Sequence, residues 1–345
     1  MNYLNNVVLI FLLFLTGCSD NQITQNKDYV FGTIVDIKIY GETKHNADHV
    51  SNLIFNDFHH LHTYLHPWKT SAISNINESI KQNRWHDIDD PELIQIIQDN
   101  VQLYKSTKGW FNPAIGKLVE LWGFHSDLPG QKVPSGVDIL DLMKNPPKMN
   151  QIIIENSMLR SVNPNIQIDL GGYAKGYALK RAKKILEANQ ISNALINIGG
   201  NILAIGKKGK QFWKVGIQHP RENMAFASIE LKPGWSIGSS GDYQRYFISN
   251  NKRYSHLINP FTGYPVHHTQ SATVIIPPKE NSEVLSDVLS KPIYLSPKED
   301  KVNLANQLQI NYFLIILENG EIMISQEMNN HIEWLGDKEK NVKIY

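Results

Sequence analysis

The segment 169–175, Asp-Leu-Gly-Gly-Tyr-Ala-Lys, combines residue types that can hold an anion. An apolar, strand-like run at 166–170 contains Asp169, the pair Gly171-Gly172 follows, and a helical pattern runs on to Asn189. Lys175 falls in the first helical turn, where a cation opposes the helix dipole at a cost of about 0.3–1 kcal/mol. Paired glycines let backbone approach a ligand closely, and the free N–H groups of a helix start suit a phosphate. Lys175 would add a full charge, and Asp169 could accept from a ligand hydroxyl or amide. The spacing is neither a Walker A loop nor a G-x-G-x-x-G fingerprint, and a tight strand–helix turn with a solvated lysine would carry the same residues.

Other places carry chemistry-bearing types. His256 closes a short extended segment just before the turn Asn259-Pro260-Phe261-Thr262-Gly263, a rigid setting for a proton carrier. Asp287, Ser290 and Lys291 lie on one face of a short helix, where a carboxylate and a hydroxyl could form a hard-oxygen magnesium site. A solvated Asp–Lys pair has the same spacing. Asn197-Ile-Gly-Gly-Asn201 reads as a bulge or turn, and 236–247 supplies small residues, hydroxyls and an acid between strands. His59, His62 and His66 share a helical face, but a structural zinc site needs four ligands and no such set is evident.

These residues must be positioned by the rest of the chain. The first half reads as helices at 46–65, 91–109 and 112–124, with a strand over 30–41. Pro91 opens the second helix and Gly109 stops it. Residues 125–150 read as loop with one short helix, and a hairpin turns near 156. The second half is mostly strands, with Asn319-Gly320 as a hairpin turn. Helices are expected at 283–291, before Pro292, and at 298–307. Helices early, strands late and no strict βα alternation give an α+β class, with helices on largely antiparallel sheets.

With 41% hydrophobic and 19% charged residues, the 345-residue chain is globular in composition. A net charge of +1 argues against a nucleic-acid partner. Residues 7–15 are apolar throughout, too short to span a bilayer but suited to a signal-peptide core. Leu15-Thr-Gly-Cys18 follows and holds the single cysteine, which can form no internal disulfide. The pattern resembles a bacterial lipoprotein signal, although residues 1–6 lack the usual Lys or Arg. It implies a signal peptide at 1–17, a lipidated Cys18 with a polar tether over 18–28, and a periplasm-facing, membrane-anchored body over 29–340.

In sequence order, the segments at 30–41, 63–77, 109–124, 169–178, 197–202, 239–243 and 256–263 resemble the ApbE family of FAD:protein FMN transferases. Asp-Leu-Gly-Gly-Tyr-Ala-Lys-Gly-Tyr-Ala matches the family's D-L-G-G-x-A-K-G-x-A. The resemblance implies an FAD site lined by Phe31, Tyr64, Trp110, Phe111, Asn112, Asp169 and Lys175. It implies magnesium on the Gly172 carbonyl and Asp287, and His256 as the catalytic histidine. FMN would pass from FAD to a Thr or Ser of an acceptor flavoprotein, such as an Nqr- or Rnf-type subunit, with AMP released. A flavin-binding lipoprotein without transferase activity and an FAD pyrophosphate hydrolase are the rival readings. Phe31 stands for Met, Asn112 for Asp and Phe261 for Arg. The larger departure is Lys291, which stands where the family has a threonine on the metal; a protonated lysine cannot ligate magnesium, so either Ser290 supplies the oxygen or the ammonium replaces part of the metal's charge.

Overall fold

The computed structural model describes residues 22–126, 132–336 and 341–345. Its spine is a nine-stranded sheet. The strand order is Ile23–Val30, Thr33–Tyr40, Ala194–Ile198, Asn201–Ile205, Ser236–Gly241, Thr269–Ile276, Tyr312–Leu317, Ile322–Ile324 and Val342–Ile344. Every neighbouring pair is antiparallel except the last. Alternate side chains enter different cores, as a strand's period of two requires. Val274 and Ile276 pack under the helices Ser282–Leu295 and Lys301–Gln307. Ile275 packs on the other face against a three-stranded sheet built from Trp213–Gln218, Ala225–Leu231 and Ile332–Trp334. The class is α+β, in three layers.

The helix Lys44–Tyr64 buries Val50, Ile54, Phe58 and Leu61 on one stripe, capped at its start by Thr43. It packs on the helix Ala174–Ala188, which packs in turn on Ser282–Leu295. The helix Pro91–Ser106 begins at Pro91, with the Asp90 side chain accepting from the Glu92 N–H. It ends three residues before Gly109, because Lys108 and Gly109 both adopt positive φ. A hairpin pairs Ile152–Glu155 with Met158–Ser161.

Several expectations are corrected. From Ile23 onward the expected tether is an edge strand, paired from Ile23↔Tyr40 to Val30↔Thr33. Its polar residues misled because one side of an edge strand faces water. The strand expected across 30–41 is instead broken by a two-residue turn, with Phe31 at φ 56 and Gly32 at φ 70. Residues 166–170 join no sheet. They lie along 113–116, where the Gln167 N–H donates to Ala114 O and the Asp169 N–H to Pro113 O. That pairing delays the third helix, which is only Gly116–Leu121. Pro292 does not end its helix, which runs to Leu295. There the buried Lys301 ammonium donates to the carbonyls of Ile293, Tyr294 and Ser296 at 2.7, 3.0 and 2.7 Å.

The helix at 72–81 departs from the expected elements. Ala72–Lys81 starts at Ser71, whose hydroxyl accepts from the Ser74 N–H while the Ser74 hydroxyl accepts in return from the Ser71 N–H. This is a capping box closed by serine in place of the usual Glu or Gln.

Candidate active site

Two hairpin turns, Phe31-Gly32 and Gly199-Gly200, stand side by side above a cleft of about 830 Å³. That volume is in the range of small-molecule sites, roughly 300–1,000 Å³. Its walls include Phe31, Trp110, Phe111, Asn112, Asp169, Gly172, Lys175, His256 and Asp287, together with Lys291. Residues expected from distant parts of the chain thus share one cavity.

The helix Ala174–Ala188 opens on the cleft. Tyr173 makes no side-chain cap; the Gly176 N–H in the first turn is taken instead by Asp287, and Lys175 sits in the same turn. Burial pushes the Lys175 pKa down, the nearby Asp287 opposes this, and Lys291 and Arg245 add to it. Asp169 lines the same cleft; burial pushes its carboxyl up, while the Gly171 N–H, donating to Oδ1 at 2.8 Å, pulls the other way. The Asn112 amide is occupied internally, donating to Pro147 O at 2.8 Å and accepting from the Ala114 N–H at 3.1 Å. Asn112 therefore shapes the local backbone, and Phe111 packs beneath Gly172.

His256 has a defined tautomer. Its Nδ1 lies 3.1 Å from the Arg245 carbonyl, which can only accept, so Nδ1 carries the proton and Nε2 keeps its lone pair. Burial, then the Arg245 charge, lowers its pKa to about 3. The ring is neutral at pH 7.

Asp287 is 1% exposed, and each of its carboxylate oxygens already accepts a hydrogen bond. Its Oδ2 accepts from the Gly176 N–H at 2.9 Å. Its Oδ1 and its own carbonyl accept from Lys291 Nζ at 2.6 and 2.7 Å. The first bond needs glycine at 176, where a Cβ would lie 2.7 Å from Glu283 O. The expected metal position fails the test of its donors. Lys291 fills it with an ammonium, and the Ser290 hydroxyl, expected as a ligand, is buried, donating to Asp287 O at 2.8 Å and bonding Ser240 Oγ at 2.7 Å. Among the described residues no group of three or more His, Cys, Asp or Glu is placed to hold a metal ion.

Tyr64 is a further correction. It does not line the cleft; its hydroxyl donates to the Asp90 carboxylate and its ring stacks on His60. Leu61, His62, Leu65 and His66 of the same helix end line the cleft instead, because Tyr64 falls on the other side of the turn. Phe31 and His62 meet edge-on at 5.5 Å, as do Trp68 and His125 at 5.7 Å, forming an aromatic wall. Of the three histidines sharing a face, His59 turns outward to Asp28, at 2.8 Å.

Two contributors went unforeseen. Arg245 lines the cleft while donating to the Phe124 and Ser126 carbonyls at 2.6 and 3.0 Å. Asn77 holds the 166–170 segment in place. Serine and asparagine at 71, 74 and 77 were the available signal, pointing to a capped helix with an inward amide. Cys18 lies outside the described residues.

Comparison with known proteins supports a family assignment. Residues 31–314 match the ApbE family. The chain is 32% identical over 305 residues to a FAD:protein FMN transferase of Rhodobacter capsulatus, covering 88% of this chain and 57% of that protein. This chain thus spans little more than half of that relative's length. It is 30% identical over 270 residues to the FAD:protein FMN transferase of Haemophilus influenzae, covering 73% of this chain and 74% of that one. The crystal structure of an ApbE protein from Thermotoga maritima superposes with a TM-score of 0.81 at 30% identity, over 90% of this chain and 99% of that one. With motif order, fold and cleft in agreement, the chain belongs to the ApbE family.

Proposed function

We propose that this chain is an FAD:protein FMN transferase. The observation that carries the reading is the convergence of Lys175, the first turn of its helix and the His256 Nε2 lone pair on one cleft. FAD lies with its diphosphate at the helix start and Lys175. A Thr or Ser hydroxyl of an acceptor flavoprotein attacks the phosphorus of the FMN half. A new P–O bond forms and the bond to the bridging oxygen breaks. AMP leaves with that oxygen's electron pair. The hydroxyl proton passes to His256 Nε2, whose basicity rises once the diphosphate's negative charge lies beside it. The rest is positioning and charge neutralisation, as is general for phosphoryl transfer.

The resemblance adds magnesium to this reaction. The donors around Asp287 do not fit it, so the charge on the diphosphate falls to Lys175 and Lys291. The lipoprotein pattern ending at Cys18 supports a membrane-anchored protein facing the periplasm, and an acceptor of the Nqr or Rnf type would meet it at that surface. The test is incubation of the full-length chain with FAD and a flavin acceptor domain. Fluorescent acceptor on a denaturing gel, with AMP in solution, is expected. AMP with free FMN and no labelled acceptor would make the protein a hydrolase, and neither product would make it a flavin binder.

A further inference from the structure

We infer that Lys291 is a built-in cation that replaces a divalent metal, so that this chain holds the diphosphate of its nucleotide without magnesium. The inference rests on the transferase reading for the identity of the nucleotide, but its geometry stands by itself. The Lys291 side chain is 16% exposed and lines the cleft. It runs directly past Gly172, where an added Cβ would lie 2.9 Å from Lys291 Cε. A Cβ at 172 would press on this side chain and displace the ammonium. An ammonium has three N–H donors and no acceptor. Two of these are fixed, on Asp287 Oδ1 at 2.6 Å and Asp287 O at 2.7 Å. The third remains for a ligand oxygen, and Lys175 lines the same cleft.

Magnesium needs a near-octahedral shell of oxygens. The carboxylate that would supply them has one oxygen on Lys291 and the other on the Gly176 N–H. The Ser290 hydroxyl is fully buried against Asp287 O and Ser240. A dication placed beside the ammonium would also be repelled at contact distance. Lysine offers a permanent charge that no chelator removes, at the expense of the second positive charge that a dication would bring.

The test uses the full-length chain and two readouts. The first is FAD affinity by flavin fluorescence in excess EDTA and in millimolar magnesium chloride. Wild type should bind equally in both, whereas Lys291→Thr should lose about tenfold or more in EDTA, the equivalent of one charge-assisted contact, and recover with magnesium. Lys291→Met should bind weakly in both. The second is manganese chloride titration followed by electron paramagnetic resonance, which needs no nucleotide. Wild type should take up no stoichiometric manganese, and Lys291→Thr one equivalent. Loss of wild-type FAD affinity in EDTA, or one tight manganese per wild-type chain, overturns the inference. Absence of FAD binding in every variant and buffer would sink the transferase reading instead, and the manganese titration would still decide the role of Lys291.

Discussion

Asn77 grips Ile168 from both sides: its Nδ2 donates to the Ile168 carbonyl at 2.9 Å and its Oδ1 accepts from the Ile168 N–H at 2.7 Å. The clamp joins the Ala72–Lys81 helix to the segment that carries Asp169. Asn77→Ala leaves two buried backbone groups without partners, each worth about 1–3 kcal/mol. Chemical denaturation should show a loss of that order. FAD affinity should fall as well, since Asp169 is the next residue. A variant with wild-type stability would mean that the segment is held by its pairing with 113–116 alone.

Lys175→Ala should weaken FAD binding by about ten- to a hundredfold, the loss of a charge-assisted hydrogen bond of roughly 1.5–3 kcal/mol. Stability should not fall, because removing a cation from the first turn relieves an unfavourable dipole interaction. Calorimetric titration with FAD checks the first effect and thermal melting the second. Unchanged affinity would place the diphosphate elsewhere.

His256→Asn should fold and bind FAD yet lose FMN transfer by about 10²–10⁴-fold, the usual range for a positioned proton carrier. It should also alter acid stability. The folded-state pKa, about 3, lies below the ordinary value of 6.5, so the unfolded chain binds the extra proton first. The contribution is therefore complete above pH 6.5 and is lost as pH falls toward 3. The variant's stability should be flatter across that window. An equally steep wild-type and variant profile would show that other groups drive acid unfolding.

Cys18→Ala tests the anchor. The variant should move from the membrane fraction to the soluble fraction. A variant that still pellets with membranes would show that the N-terminal segment holds the protein by other means.

How much was readable depended on whether the signal was local. The Asn319-Gly320 turn is a two-residue hairpin signal, and the chain does reverse there, between Tyr312–Leu317 and Ile322–Ile324. The helix Ala174–Ala188 was visible from its apolar period and from the lysine in its first turn. Tyr64 was misplaced because a resemblance gives register along the chain but not the rotation of a helix about its axis. The strand Ile23–Val30 was hidden because an edge strand with one wet side spells like a linker. Asn77 and Arg245 act through backbone carbonyls and amides far away in sequence, and nothing nearby announces such partners. Lys291 was noticed as a departure, but only the packing beside Gly172 shows where its ammonium lies.

The strand order has a kinetic consequence. Thr33–Tyr40 pairs with Ala194–Ile198, so the whole helical half of the chain is looped out between two neighbours of one sheet. Closing such a loop costs entropy before any pairing repays it, and sheets built this way form slowly. The cleft then draws its walls from Phe31 at one end to Lys291 near the other. A nascent chain that has not yet delivered the Ser282–Leu295 helix has no place to hold a nucleotide. Ligand can therefore stabilise this protein only after synthesis is nearly complete, and the preceding interval is when proteases and misfolding compete for it.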